Sequence, residues 1–351
     1  MRKYGSLLFS GLLAVLCFFF LHSAFGTLGK LQQVYPGWSA RYDTKLTDSQ
    51  VQLLKRYCAQ NTETTEGVWP SFWTEEQESA STPRGDKTAD LFLYDGDPAQ
   101  LFPVQLLSGS YPGELEENRC AVSSALSWFL WGSLDTVGQT LTSGGNSYTV
   151  SGVFAQEDFQ LIRKGGPDTK WTATDLLTPK SFTREELEQL FTAAGFPQPD
   201  NLVDGSGIYS LTVLATYTPL ILAALLALGL FFLIDRQGKK RRLKNWLLLG
   251  LLLLFGCAIP FLLQLVPAWL IPTKWSDFSF WSALGSKMQT YFNQWLRLMP
   301  SYRDMLAKQL LYAQALYITC ALVLVPFLYY RLKAVLRENP FGGGQLEQAM
   351  L

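Results

Sequence analysis

The stretch CAVSSALSWFLWGSLDTVGQTLTSGGNSYTVSGVF, Cys120 to Phe154, has the punctuation of a compact folded unit. An apolar, helix-like run from Ala121 to Trp131 stops at Gly132. A polar turn, GSLDTVGQ, follows. Two short strand-like runs come next, QTLTS and SYTVSGVF, joined by GGN. Gly132, Gly138 and Gly152 read as turn and packing glycines. Nothing in the stretch has the pattern of a catalytic site. What it belongs to is decided by the long apolar segments on either side.

Four such segments stand out: 7–25 (LLFSGLLAVLCFFFLHSAF), 211–234 (LTVLATYTPLILAALLALGLFFLI), 246–270 (WLLLGLLLLFGCAIPFLLQLVPAWL) and 311–330 (LYAQALYITCALVLVPFLYY). Each holds about 20 apolar-dominated residues, enough to cross roughly 30 Å of hydrocarbon as a helix. None contains Asp, Glu, Lys or Arg, which argues against an ion-coupled carrier with a midplane charge. The fourth is the most polar, with Gln314 and Thr319. A hydrophobic content of 48% and mean hydropathy of +0.10 suit spans combined with a water-facing domain. The first segment follows MRKYG, as a signal peptide would, but its apolar run is long and HSAFG is a weak cleavage site. It reads as an uncleaved helix.

Charge then orients the chain. Residues 27–210 carry 24 acidic and 13 basic residues, whereas 235–245 (DRQGKKRRLKN) carry six basic and one acidic. The N-terminus has Arg2 and Lys3, and 331–351 has three basic residues against two acidic. Basic short segments face the cytoplasm. The expected organisation is therefore a first helix in 1–26, an outward domain in 27–210 and spans at 211–234, 246–270 and 311–330. A basic cytoplasmic loop occupies 235–245, an outward loop 271–310 and a cytoplasmic tail 331–351. Arg236, Lys239, Lys240, Arg241, Arg242 and Lys244 read as a topology anchor at the lipid surface, compatible with docking of a cytoplasmic partner. Nucleic-acid binding is not expected of so small a patch beside the bilayer.

Within 27–210, LTDSQVQLLKRYCAQ (46–60) has helical spacing, with Thr47 or Asp48 as N-cap. The polar stretch WPSFWTEEQESASTPRGDKTAD reads as a loop leading to a strand at 89–96. The segment 183–196 reads as a helix, with Thr183 and Glu186 in a capping-box pattern. DNLVDGSG reads as a hinge. Strands mixed with helices give an α+β domain, its mixed sheet holding the strands near 89–95 and 148–154. In 271–310, Phe280, Leu284, Met288, Tyr291, Phe292, Trp295 and Leu298 form a helical stripe. That helix lies on the membrane, packs on the outward domain, or relays motion between them.

The single histidine, His22, sits in the first span, so no Ser-His or Cys-His catalysis is available to the outward domain. No GxSxG, HExxH, CxxC or Walker A pattern occurs. No enzyme activity, cofactor or metal is expected. Cys17, Cys257 and Cys320 lie in spans, which leaves Cys58 and Cys120 outside. These two are read as a disulfide, with two separate buried thiols as the alternative.

The order of motifs in 106–154 carries a resemblance. Gly109 and Tyr111 make a turn before an acidic loop; CAVSSAL, LWGS, VGQTL and YTVSGVF follow. This series resembles the extracytoplasmic core domain of MacB-like permeases in the FtsX-type ABC transporter superfamily. The resemblance implies an α+β core domain of two subdomains, plus four transmembrane α-helices with both termini cytoplasmic, in a bacterial plasma membrane. It also implies a homo- or heterodimeric permease, and a separate cytoplasmic ATP-binding subunit that drives export or mechanical transmission. The short basic loop departs from the family pattern and no ATPase is fused. A non-transporting, membrane-anchored binding, sensing or assembly protein is the alternative.

Overall fold

The structure, a computed structural model, describes residues 2–34, 37–63, 65–113, 115–178, 182–235, 250, 274, 276, 278–298 and 301–338. In chain order the elements begin with α1 (Arg2–Val34), β1 (Trp38–Leu46), α2 (Asp48–Gln60), β2 (Trp69–Thr82), β3 (Gly85–Asp95) and α3 (Pro98–Leu101). Next come β4 (Leu106–Gly109), β5 (Arg119–Ser123), α4 (Ser124–Trp131), β6 (Thr140–Ser143), β7 (Asn146–Phe154), β8 (Gln160–Lys164) and β9 (Trp171–Leu177). The chain continues with α5 (Arg184–Ala193), β10 (Asn201–Asp204), α6 (Gly205–Asp235), α7 (Phe278–Arg297) and α8 (Tyr302–Glu338).

The described residues fall into two compact units. One takes Gln32–Ser206 with Pro272–Ala307; the other takes Met1–Leu31, Gly207–Ile271 and Lys308–Leu351. Residues 32–206 and 272–307 thus share one unit. There, ten strands form a mixed sheet in the order β10-β1-β9-β2-β3-β8-β5-β7-β4, with β6 bridging β2 and β7. The β3–β8 and β5–β7 pairs are parallel and the others antiparallel. The strands expected near 89–95 and 148–154 both lie in it. The described strands join this one sheet, where the resemblance implies two subdomains.

Side-chain alternation explains why the sheet is covered on both faces. On β3, Leu91 and Leu93 enter a large cluster with Val51 and Leu54 of α2, Leu126 and Leu130 of α4, and Leu187 and Phe191 of α5. Phe92 and Tyr94 point the other way, into a smaller cluster with Trp73, Phe102, Phe154 and Ala173. Helix α4 starts at Ser123, whose hydroxyl accepts from Leu126 N, and ends at Gly132 with φ 73°. That left-handed cap favours glycine.

Three readings are corrected. Residues 69–90 are not a loop: β2 and β3 pair without a break from Phe72↔Asp95 to Thr82↔Gly85. Their polar residues work across strands, with Gln77 donating to Asp90 and Arg163 pairing with Glu78. Residues 201–204 are strand β10 on β1, not a hinge. The boundary at 26/27 falls inside α1, which runs to Val34.

The described helices long and apolar enough to cross a membrane are Leu8–Val34, Gly205–Gly229 and Arg303–Ala334, most of whose residues belong to the second unit. The expected span at 246–270 lies outside the described residues, except Gly250. Within this unit a polar knot joins three helices. The Thr27 hydroxyl meets Gln314 Oε1, and Gln314 Nε2 donates to Thr216 Oγ1 at 2.6 Å. Ring contacts flank it, Phe25–Tyr217 at 5.5 Å and Phe9–Phe327 at 6.4 Å.

Candidate functional site

The most concentrated buried charge in the outward unit lies on the smaller-cluster face of strands β1, β9 and β2. Register builds it. Ser39 and Ser71 stand on either side of Asp175, and Arg41 and Trp73 on either side of Ala173. Residues two apart share a face, so these six form a small array. The two serines leave room above Asp175. Ala173 lets the Arg41 guanidinium reach over the Trp73 ring, 4.2 Å from its centroid, a cation–π contact. Trp73 in turn stacks on Phe92.

Onto this array comes the first turn of α8. Arg303 pairs with Asp175, which also accepts the Ser39 hydroxyl. Asp304 pairs with Arg41 at 3.2 Å. All four charged side chains are nearly buried, between 2% and 12% exposed. Asp304 also completes a capping box: its carboxylate accepts from Ser301 N at 3.2 Å, and Ser301 Oγ accepts from Asp304 N at 3.2 Å. One carboxylate thus starts the helix and fixes it to β1.

Buried ion pairs are a poor source of net stability, because desolvation offsets the attraction. Their effect is selective, since removing one partner strands the other. The pairing therefore fixes where the first turn of α8 sits on the sheet. The crevice beside it, lined by Gly37, Trp38, Ser71, Leu101, Leu176 and Arg303, has a volume of about 10 Å³, room for about one water. Its shape suits attachment rather than a small-molecule ligand.

The other two apolar helices join the domain close by. Strand β1 begins at Trp38, four residues after α1 ends, and Trp38 pairs with Asp204 at the end of β10. Gly205 N, opening α6, donates to Gly37 O at 3.0 Å. A Cβ on Gly37 would lie 2.1 Å from the Leu176 carbonyl oxygen, so only glycine fits. The domain-side ends of α1, α6 and α8 are thus all attached at one end of β10, β1 and β9.

The residues singled out from sequence lie elsewhere. Cys58, on α2, and Cys120, on β5, are free thiols rather than a disulfide. Helix α2 packs on β2, and β5 is three strands along the sheet from β2. Burial pushes the Cys58 thiol up to about 11. It pushes Cys120 to about 12, with the Arg163 charge pulling partly back. Arg236, Lys239, Lys240, Arg241, Arg242 and Lys244 lie outside the described residues. Arg303, Asp304 and Asp175 escaped the sequence reading, though signals existed. SYRD (301–304) is an S-x-x-D cap before an apolar run, and Asp175 is a lone carboxylate in the strand WTATDLL.

Residues 18–209 match the family model of the MacB-like periplasmic core domain. Among solved structures, the extracellular domain of the ABC-type transporter YknZ from Gram-positive bacteria is similar at 13% identity and TM-score 0.37, covering 46% of this chain and 96% of that one. The periplasmic region of MacB from Actinobacillus actinomycetemcomitans is similar at 11% identity and TM-score 0.39, covering 49% of this chain and 89% of that one. No curated protein matches in sequence.

Proposed function

The chain belongs to the MacB-like periplasmic core domain family, and from that premise we propose that it is a membrane permease subunit of an ABC-type export or mechanotransmission system. A separate cytoplasmic ATP-binding subunit docks on the 235–245 loop through Arg236, Lys239, Lys240, Arg241, Arg242 and Lys244. The permease works as a homo- or heterodimer in a bacterial plasma membrane, both termini cytoplasmic. It carries no catalytic machinery of its own; hydrolysis belongs to the partner.

The observation that carries this reading is the Arg303–Asp175 and Arg41–Asp304 attachment. A binding module held at a membrane needs one anchor. This chain roots a late apolar helix into the same sheet end as the first, with buried charge. Such an attachment suits passing a helix movement to the domain. The ion pairs resist sliding because each leaves a stranded charge when broken.

The test is isolation of the full chain from its native membrane in mild detergent. The reading expects an ATP-binding subunit in stoichiometric amount, lost in Arg241→Glu/Arg242→Glu. Recovery of the folded chain without any ATP-binding subunit would favour an anchored binding or sensing protein instead.

A further inference from the structure

Helix α7 has a face that the outward unit does not cover. Wound at 100° per residue, it collects Phe278, Phe280, Trp281, Leu284, Met288, Tyr291, Phe292, Trp295 and Leu296 on one side. Ser, Thr, Asn and Gln fill the other side, together with Lys287 and Arg297. Neither core cluster contains an α7 residue. Phe278 is 83% exposed and Phe292 57%, with Trp281, Met288 and Leu296 exposed beside them.

Two features say what covers this face. The first is charge: from Phe278 to Arg297 there are two cations and no carboxylate, in a chain whose residues 27–210 are strongly acidic. The second is place. Five residues lie between Arg297 and Arg303, the first residue of a candidate span, a reach of about 20 Å at most. Trp and Tyr with an apolar face, and a polar face bearing only positive charge, are what an interfacial helix presents to phospholipid. We propose that α7 lies on the outer surface of the bilayer, with Phe278, Trp281, Met288, Phe292 and Leu296 among the acyl chains. Arg297 then meets anionic phosphate headgroups. The proposal does not depend on an ATP-binding partner.

The test uses the full chain in nanodiscs of phosphatidylglycerol and phosphatidylcholine in equal parts. Benzoylphenylalanine replaces Phe292 in one variant and Thr290, on the opposite face, in another. After irradiation, intact mass is expected to show single-phospholipid adducts about tenfold more often from position 292 than from 290. A crosslink from 292 to a second copy or into the chain's own domain would overturn the proposal, as would equal lipid adducts from both positions. Arg297→Glu in the 292 variant is expected to lower adduct yield roughly fivefold in these discs. In pure phosphatidylcholine it should change little. An equal loss in both lipids would overturn the role given to Arg297.

Discussion

Asp175 sits between two serines on neighbouring strands, and the guanidinium of Arg303 reaches it from the first turn of α8. Arg303→Met leaves that carboxylate buried with the Ser39 hydroxyl. The expected loss is about 3–5 kcal/mol, read from chemical unfolding of the full chain in detergent. Asp175→Leu combined with Arg303→Met should lose less than Arg303→Met alone, because no stranded charge remains. The two thiols supply a pH test. Their folded values, about 11 for Cys58 and about 12 for Cys120, lie above the ordinary 9.0. A raised value favours the protonated thiol in the folded state. That stability is complete below pH 9 and declines as pH rises toward 11–12. Maleimide labelling at pH 8 should be slow until denaturant is added, and a fast reaction in the folded chain would contradict the burial. At this scale the sequence was only partly legible. SYRD and WTATDLL carry readable signals, but the pairing of Arg303 with Asp175 needs a register that no local pattern states.

Among elements, those governed by local rules were readable. The N-cap expected at Thr47 or Asp48 falls on Thr47, and the capping box at Thr183–Glu186 forms. The strands around Gly144–Gly145 form a hairpin, as GGN suggests. The β2–β3 hairpin was hidden because its outer half is built from Glu, Gln, Ser and Thr. These residues resemble a loop in composition, yet pair across strands and with Arg163. Strand β10 was hidden by its length of four residues. In the membrane unit, Gln314 looked like mere polarity in the fourth segment; its role appears only once α1 and α6 supply Thr27 and Thr216. Gln314→Leu removes both contacts, and the threonines keep hydrogen bonds to their own helix, such as Thr216 to Thr212 O at 2.7 Å. The expected cost is therefore modest, about 0.6–1.7 kcal/mol, measurable by denaturing-detergent titration. A loss of several times that would show that the knot holds more than these three side chains.

For the whole molecule, charge gives an expected order of sides of a membrane, and residues 32–206 and 272–307 form one unit. The attachment at Ser39, Arg41, Asp175, Arg303 and Asp304 gives that unit a defined root on α8. In the proposed function this root transmits force from an ATP-driven partner. That transmission is tested most directly by electron–electron distance measurement between spin labels at Leu115→Cys on two copies of the chain, bound to the ATP-binding subunit in nanodiscs, with and without ATP and vanadate. Leu115 is 97% exposed, so the label does not disturb the core. The account expects the distance distribution to shift with nucleotide in the parent chain. It expects no shift in Arg303→Met, with the ATP-binding subunit still bound. A shift of the same size in Arg303→Met, or no shift in the parent chain, would contradict it.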